Sequence, residues 1–405
     1  MNDAIQEAAS TAEVAGGRDW QPLRGLRVVD FSLLLPGPYA TLALADLGAD
    51  VVRVESPQGD MVRRLPMAMF RMSNRNKRGI ALDLKHPEAR EVIARLARWA
   101  DFSIEGFRPG VARRLGIDHE SLQALNPRLI CCSLSGFGQT GPLRDAPGHE
   151  LNYLAAAGSF ALPGHWGEPA RRQGLPLADL LGGAFSAIAM LAALAERQRT
   201  GKGVYLDLSL QETALAFSTI RSGLEVDHEF RGHLWPANDL FEAADGEVLV
   251  LGIVEDHFWR NFVAMVADLA PDLAHPDYAT DPQRRANGDA LHARLHEVIR
   301  LLSRDQWLTR AATADVPLQA VLTPAQASRS DHVVARDMVR ELAGERHVPF
   351  PVHVNGRRGA SLRSLAPEIG EHTREVLTEL GYPPDAIDHL AATGLFAPPA
   401  PHSTS

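Results

Sequence analysis

Residues 26–55, LRVVDFSLLLPGPYATLALADLGADVVRVE, carry a complete strand–loop–helix–strand unit. The apolar run Leu26 to Phe31 is short and rich in β-branched residues, as a buried strand requires. The turn Leu33-Leu34-Leu35-Pro36-Gly37 follows, and Pro38 suits the first turn of a helix running to about Leu47. Gly48 ends that helix, and Val51 to Val54 supplies the next strand. Working outward, the pattern recurs with a strand at Ile80 to Leu84, a helix from Pro87 to Trp99 and a strand at Phe102 to Glu105. A helical stretch at Ser121 to Leu125 and a strand at Leu129 to Leu134 complete it. Strands alternating with helices imply right-handed crossovers and a mostly parallel sheet, which is a doubly wound α/β domain.

Further along, Gly182 to Glu196 reads as a long apolar helix. Val204 to Leu208 reads as a strand and Gln211 to Ile220 as a helix. Leu240-Phe241-Glu242 and Glu247 to Gly252 flank Asp245-Gly246, a hairpin turn signal. Helices are expected at His257 to Ala267, Ala290 to Leu302, Arg304 to Ala314 and His372 to Leu380. The implied organisation is a flexible arm at 1–20, a large α/β domain at 21–222, a linker at 223–236 and a smaller α+β domain at 237–325. The Pro-rich tail 397–405 is expected to be disordered.

Composition bounds the function. The chain has 405 residues and a formal net charge of -9, which argues against a nucleic-acid surface. Its two cysteines, Cys131 and Cys132, are adjacent; strand neighbours point to opposite faces, so a reducing compartment such as the cytoplasm fits. The N-terminus has no signal-peptide pattern. The longest uncharged apolar stretch, Leu180 to Ala195, falls short of the roughly 20 residues of a membrane span and reads as a core helix. The turn after the first strand lacks the G-x-G-x-x-G spacing for a dinucleotide, and neither a Walker A sequence nor a metal-type His/Cys cluster is present.

The segments GLRVVDFS (25–32), PGPYATLALADLGADVVRVESP (36–57), NRNKRGIALDLK (74–85), EGFRPGVARRLG (105–116), SGFGQTGP (135–142), PGHELNY (147–153), ADLLGG (178–183), ERQRTGKG (196–203) and GEHTREVLTELGY (370–382) follow one another in order. In that succession the chain resembles the family uniting class III CoA-transferases with 2-methylacyl-CoA racemases, closer to the racemase branch. The resemblance implies a Rossmann-like large domain built from both chain ends, with 326–396 returning to complete it. It also implies a homodimer of interlocked rings. The implied substrate is an acyl-CoA, with coenzyme A entering as part of the substrate and no permanently bound cofactor or metal.

Coenzyme A carries several phosphate charges, so its site needs cations and backbone donors. Arg71, Arg75, Lys77 and Arg78 cluster just before a strand, which otherwise reads as a solvated basic loop. By resemblance, Arg53, Lys77, Arg108 and Arg114 hold the phosphates and nucleotide, with Arg78 beside them, Arg113 competing with Arg114, and Glu105-Gly106-Phe107 near the adenine.

Asp179 lies inside the apolar run LPLADLLGG (175–183). Asp is favoured at a helix N-cap, and the apolar helix begins just after it. A carboxylate there also stands beside unpaired N–H groups that can stabilise an enolate or acyl oxyanion. Gly182 and Gly183 would let substrate approach. The resemblance makes Asp179 catalytic, makes His149 of GHELNY a second base, and makes Glu255 its support from the small domain, with Asp256 as competitor. The implied reaction is racemisation of a 2-methyl-branched acyl-CoA. The alternative is CoA transfer between carboxylic acids through an aspartyl-CoA thioester on Asp179.

Overall fold

A computed structural model describes residues 20–65, 68–169, 171–172, 174–227 and 230–396. The expected arm (apart from residue 20), the tail and part of the linker lie outside them. The chain divides into two compact units. The larger takes residues 1–150, 177–213 and 331–405; the smaller takes 151–176 and 214–330. The large-domain boundary expected at 222 thus falls at 213, and residues 151–176 belong to the smaller unit. Periodicity cannot reveal these boundaries, because the first falls at the start of the helix Glu150–Ala156 and the last inside the helix Leu210–Ser222.

The larger unit is built on β1 (Arg27–Asp30), α1 (Pro36–Asp46), β2 (Asp50–Glu55), β3 (Lys77–Ala81), α2 (Ala89–Trp99), β4 (Phe102–Glu105) and β5 (Ile130–Ser135). Helix α3 (Glu150–Ala156) marks its first edge. The unit resumes with α4 (Leu177–Thr200) and β6 (Tyr205–Ser209), and α5 (Leu210–Ser222) leads out of it. The six strands pair in the order β3-β2-β1-β4-β5-β6, all parallel. The order reverses between β1 and β4, and in such sheets ligands bind outside the carboxyl ends of the strands at that point.

Strand periodicity sorts the core into two layers. Val29, Val52, Ile80 and Cys131 face Val92, Ile93 and Leu96 of α2. Val28, Val51, Phe102 and Cys132 face Leu44 of α1 and Met190 of α4. The adjacent cysteines therefore point into opposite layers, both as free thiols.

Helix α4 starts at Leu177, five residues before the expected Gly182, and runs for 24 residues. By length and composition it could span a bilayer, although the uncharged stretch alone falls short. In the unit it packs along α1, with Ala178, Gly182, Gly183, Ser186 and Met190 buried.

In the smaller unit, β7 (Asn238–Glu242), β8 (Val248–Gly252) and β9 (Leu318–Ala320) form an antiparallel sheet. Its hairpin turns at Gly246, with φ 78°. One sheet face carries Phe241, Leu249, Leu251 and Leu318. They pack against Trp259 and Phe262 of α6 (Asp256–Met265), Leu295 of α7 (Gly288–Ile299) and Trp307 of α8 (Arg304–Ala311). The C-terminal helices α9 (Thr373–Glu379) and α10 (Pro384–Ala392) return to the larger unit, where Val376, Leu377, Ile387 and Leu390 complete the layer containing α2. Helix α10 is absent from the sequence expectation.

Candidate active site

The loop after β1 and the second turn of α4, at Gly183, meet beyond the carboxyl end of β1. Helix α1 begins Pro36-Gly37-Pro38, so two of its first three residues have no N–H. The helix end that would cradle a pyrophosphate in a dinucleotide fold has lost those donors. Ser32 approaches so closely that its hydroxyl would clash with any side chain on Gly37.

Helix α4 stands against this loop. A Cβ on Gly183 would lie 2.5 Å from the Pro36 carbonyl oxygen and 3.0 Å from the Tyr39 ring, and one on Gly182 would collide with Leu210. The two glycines are therefore filled by protein packing rather than open to substrate, a correction to the sequence expectation.

Asp179 is inside the first turn of α4, not at its N-cap, because the helix starts two residues earlier. It is partly buried, and no described residue hydrogen-bonds its carboxyl. Burial, with the Glu150 charge added, pushes its pKa up to about 7. Glu150 has one buried carboxylate oxygen, Oε1, with no hydrogen-bond partner. No role for Glu150 is read from the sequence; its signal is its place beside His149. His149 is exposed, immediately before α3.

Glu255 is exposed at the N-cap of α6, and its side chain makes no capping bond. Asp256, its competitor, accepts from Arg284 Nη2 at 2.7 Å and from the Asp281 N–H at 2.8 Å. Asp256 is committed to structure and Glu255 is not.

The expected phosphate cluster does not exist as a surface. Arg53 and Lys77 are both buried. Arg53 Nη2 lies 2.6 Å from Asp60 Oδ2, and Asp30 and Glu55 flank the guanidinium at 3.7 and 3.8 Å. Lys77 Nζ donates to the Pro38 carbonyl at 2.8 Å and to Asn74 Oδ1 at 3.0 Å, and it lies 3.4 Å from Asp30 Oδ2. Burial pushes the Lys77 ammonium down in pKa against the pull of Asp30. Arg75 grips Asp46 in the interior, with Nη2 to Oδ2 at 2.6 Å. Arg78 is claimed by Asp50 at 2.6 Å, Glu379 at 2.8 Å and Glu375 at 2.9 Å. Neighbouring residues on a strand point to opposite faces, so a run of cations close in sequence is dispersed in space.

Two of the expected phosphate ligands do lie exposed. Arg108 follows β4 at the switch point, and Arg114 sits on the short helix Val111–Leu115; neither pairs with a described carboxylate. Arg113 pairs with Glu120 at 3.1 Å, which leaves Arg114 as the available cation. Glu105 is buried at the end of β4, where it accepts from the Phe107 N–H at 2.8 Å and burial raises its pKa. Its carboxylate shapes the turn carrying Gly106 and Phe107 and is not presented to a nucleotide.

Comparison with known proteins agrees with this architecture. The sequence model of CoA-transferase family III matches residues 23–373. The acetyl-CoA:oxalate CoA-transferase of Acetobacter aceti is 34% identical across 89% of this chain and 96% of its own length. Human alpha-methylacyl-CoA racemase is 32% identical across 91% of this chain and 96% of its own. A crystal structure of a CAIB/BAIF family protein from Brucella suis superposes with a TM-score of 0.79 at 32% identity, covering 90% of this chain and 100% of that one. Fold and site together define an acyl-CoA-processing α/β enzyme. The chain belongs to CoA-transferase family III, which holds both transferases and racemases.

Proposed function

We propose that this enzyme racemises or epimerises the α-carbon of a 2-methyl-branched acyl-CoA. The observation that carries the reading is the Asp179 carboxyl lifted to about 7, so that it both accepts and donates a proton near neutral pH. Asp179 and His149 flank the α-carbon. One takes its proton, the electron pair moves to the thioester oxygen, and the other protonates the planar enolate on the opposite face. The N–H groups of the first turn of α4 lack intrahelical partners and suit the enolate oxygen. Arg108 and Arg114 take phosphates of the coenzyme.

A second reading, CoA transfer through a mixed anhydride and an aspartyl-CoA thioester on Asp179, is favoured by the similarity to a named CoA-transferase. Racemisation comes first because His149, next to the Glu150 that faces Asp179, offers the second base that transfer does not need.

We also infer an interlocked homodimer. Ile188 of α4 is 59% exposed and Ile220 of α5 is 84% exposed, apolar surface that a second copy would cover.

The deciding experiment incubates a panel of 2-methylacyl-CoA esters in heavy water and scores deuterium at the α-carbon. The reading expects exchange in both configurations, lost in Asp179→Asn. Absence of exchange on every ester, together with hydroxylamine-sensitive CoA on Asp179, would replace it with the transferase.

A further inference from the structure

We propose that Asp60, with Arg53 as its counter-ion, is a positioning residue for the reaction: it fixes the loop between β1 and α1 on which the first turns of α4 rest. The proposal builds on Asp179 as the reacting carboxylate.

The loop holds an unusual conformation. Leu34 has φ 64°, in the left-handed region that a leucine adopts only when its surroundings impose it. What imposes it is Asp60: the Leu34 N–H donates to Asp60 Oδ2 at 3.0 Å. Asp60 is itself fixed from every side. Arg53 Nη2 donates to the same oxygen at 2.6 Å, and the Val62 N–H donates to Oδ1 at 3.0 Å. The Asp60 N–H donates to Glu55 Oε1 at 3.0 Å. Both side chains are out of solvent, where such bonds are strong and their loss costly.

Arg53 serves this one contact best. Its Nε and Nη1 make no hydrogen bond, and the Glu55 and Asp30 carboxylates stand farther off at 3.8 and 3.7 Å. The other end of the loop is tied as well, since the Ser32 N–H donates to Asp30 Oδ1 at 2.9 Å.

A contact path leads from the loop to the chemistry. The Pro36 carbonyl lies against α4 at Gly183, one helical turn beyond Asp179 on the same face. If the Leu34 turn relaxes, Pro36 moves, and the helix that aims Asp179 moves with it. Small misplacements of a reacting group cost rate far more than binding. The turn leading to Arg108 borders the loop at Ser32 and Leu33, the end tied by Asp30, rather than at Leu34, so the larger effect is expected on rate.

The test compares Asp60→Leu, which removes the acceptor for Leu34, with Asp60→Asn, which keeps an acceptor but loses the charge. Both leave Arg53 short of a counter-ion, so both should melt earlier, Asp60→Leu the more so because it also strands the Leu34 N–H. The full-length protein is assayed for turnover of whichever acyl-CoA it accepts. Asp60→Leu is expected to lose about tenfold to a hundredfold in kcat with KM nearly unchanged, while Asp60→Asn keeps most of its kcat. Leu34→Val leaves the ion pair intact and disfavours the left-handed turn; it should reproduce the kcat loss even if Asp60→Leu fails to fold. Equal kcat losses in the two Asp60 variants, or a wild-type kcat in Leu34→Val, would overturn the proposal. An Asp179→Asn enzyme that still turns over would instead sink the reading of the site, a result separable from these.

Discussion

Glu150 stands close enough to Asp179 for its charge, added to burial, to lift the Asp179 carboxyl to about 7. Two carboxyl groups in one partly dry site resist being ionised together, and the proton they retain is a chemical resource. The pairing brings the residue after His149 beside the first turn of α4, two stretches distant in sequence.

The pH profile should report that proton. Where Asp179 acts as base, the rate falls as pH drops through about 7, because the carboxylate is being protonated. Glu150→Gln removes the repulsion and should move this limb to lower pH. The check is α-proton exchange measured from pH 5 to 9; an unmoved limb would show that Glu150 does not couple to the reacting group.

The same group should cost the fold stability at high pH. Its folded pKa, about 7, is above the ordinary value of 3.8. Its stabilising contribution is complete below about pH 4 and is lost as pH rises through 7. Asp179→Asn should therefore melt at a higher temperature than the wild type at pH 8, with the difference vanishing near pH 4, while exchange is abolished. Thermal melts at the two pH values decide it.

Arg108 and Arg114 should act on the coenzyme and not on the chemistry. Arg108→Ala should raise KM for an acyl-CoA about tenfold, with kcat kept. The matching acyl-pantetheine ester, which lacks the nucleotide, should show no such change. An equal loss on both esters would remove Arg108 from the phosphate site.

Arg75 and Asp46 predict a purely structural effect. Both are buried and joined at 2.6 Å. Asp46→Ala strands a buried guanidinium and should cost about 3–5 kcal/mol in denaturant unfolding. A loss below about 1 kcal/mol would mean that water reaches the site.

Much of the fold was legible. The β1–α1–β2 unit falls where its apolar run, its prolines and Gly48 put it, because local sterics dictate those choices. The hairpin around Asp245-Gly246 is legible for the same reason. Boundaries set by packing were not: β3 is expected at 80–84 but runs from Lys77 to Ala81, since Lys77 finds its buried partner in Asp30. Gly182 and Gly183 look like space for a ligand in sequence, and in the fold they are space for Leu210 and Pro36.

Sequence by itself determined the alternation of strands and helices and the loss of a dinucleotide-type phosphate loop, whereas Asp179 read locally as a helix cap and drew notice only through the family resemblance. These follow from backbone geometry and side-chain chemistry within one short window. Only the tertiary structure decided which cations remain available: Lys77, Arg75 and Arg78 are neutralised by carboxylates far away in the chain and Arg53 by the nearby Asp60, while Arg108 and Arg114 are left open. A charge is written in the sequence, but its environment is set by residues that folding brings from elsewhere, and the environment is what separates a ligand from a brace.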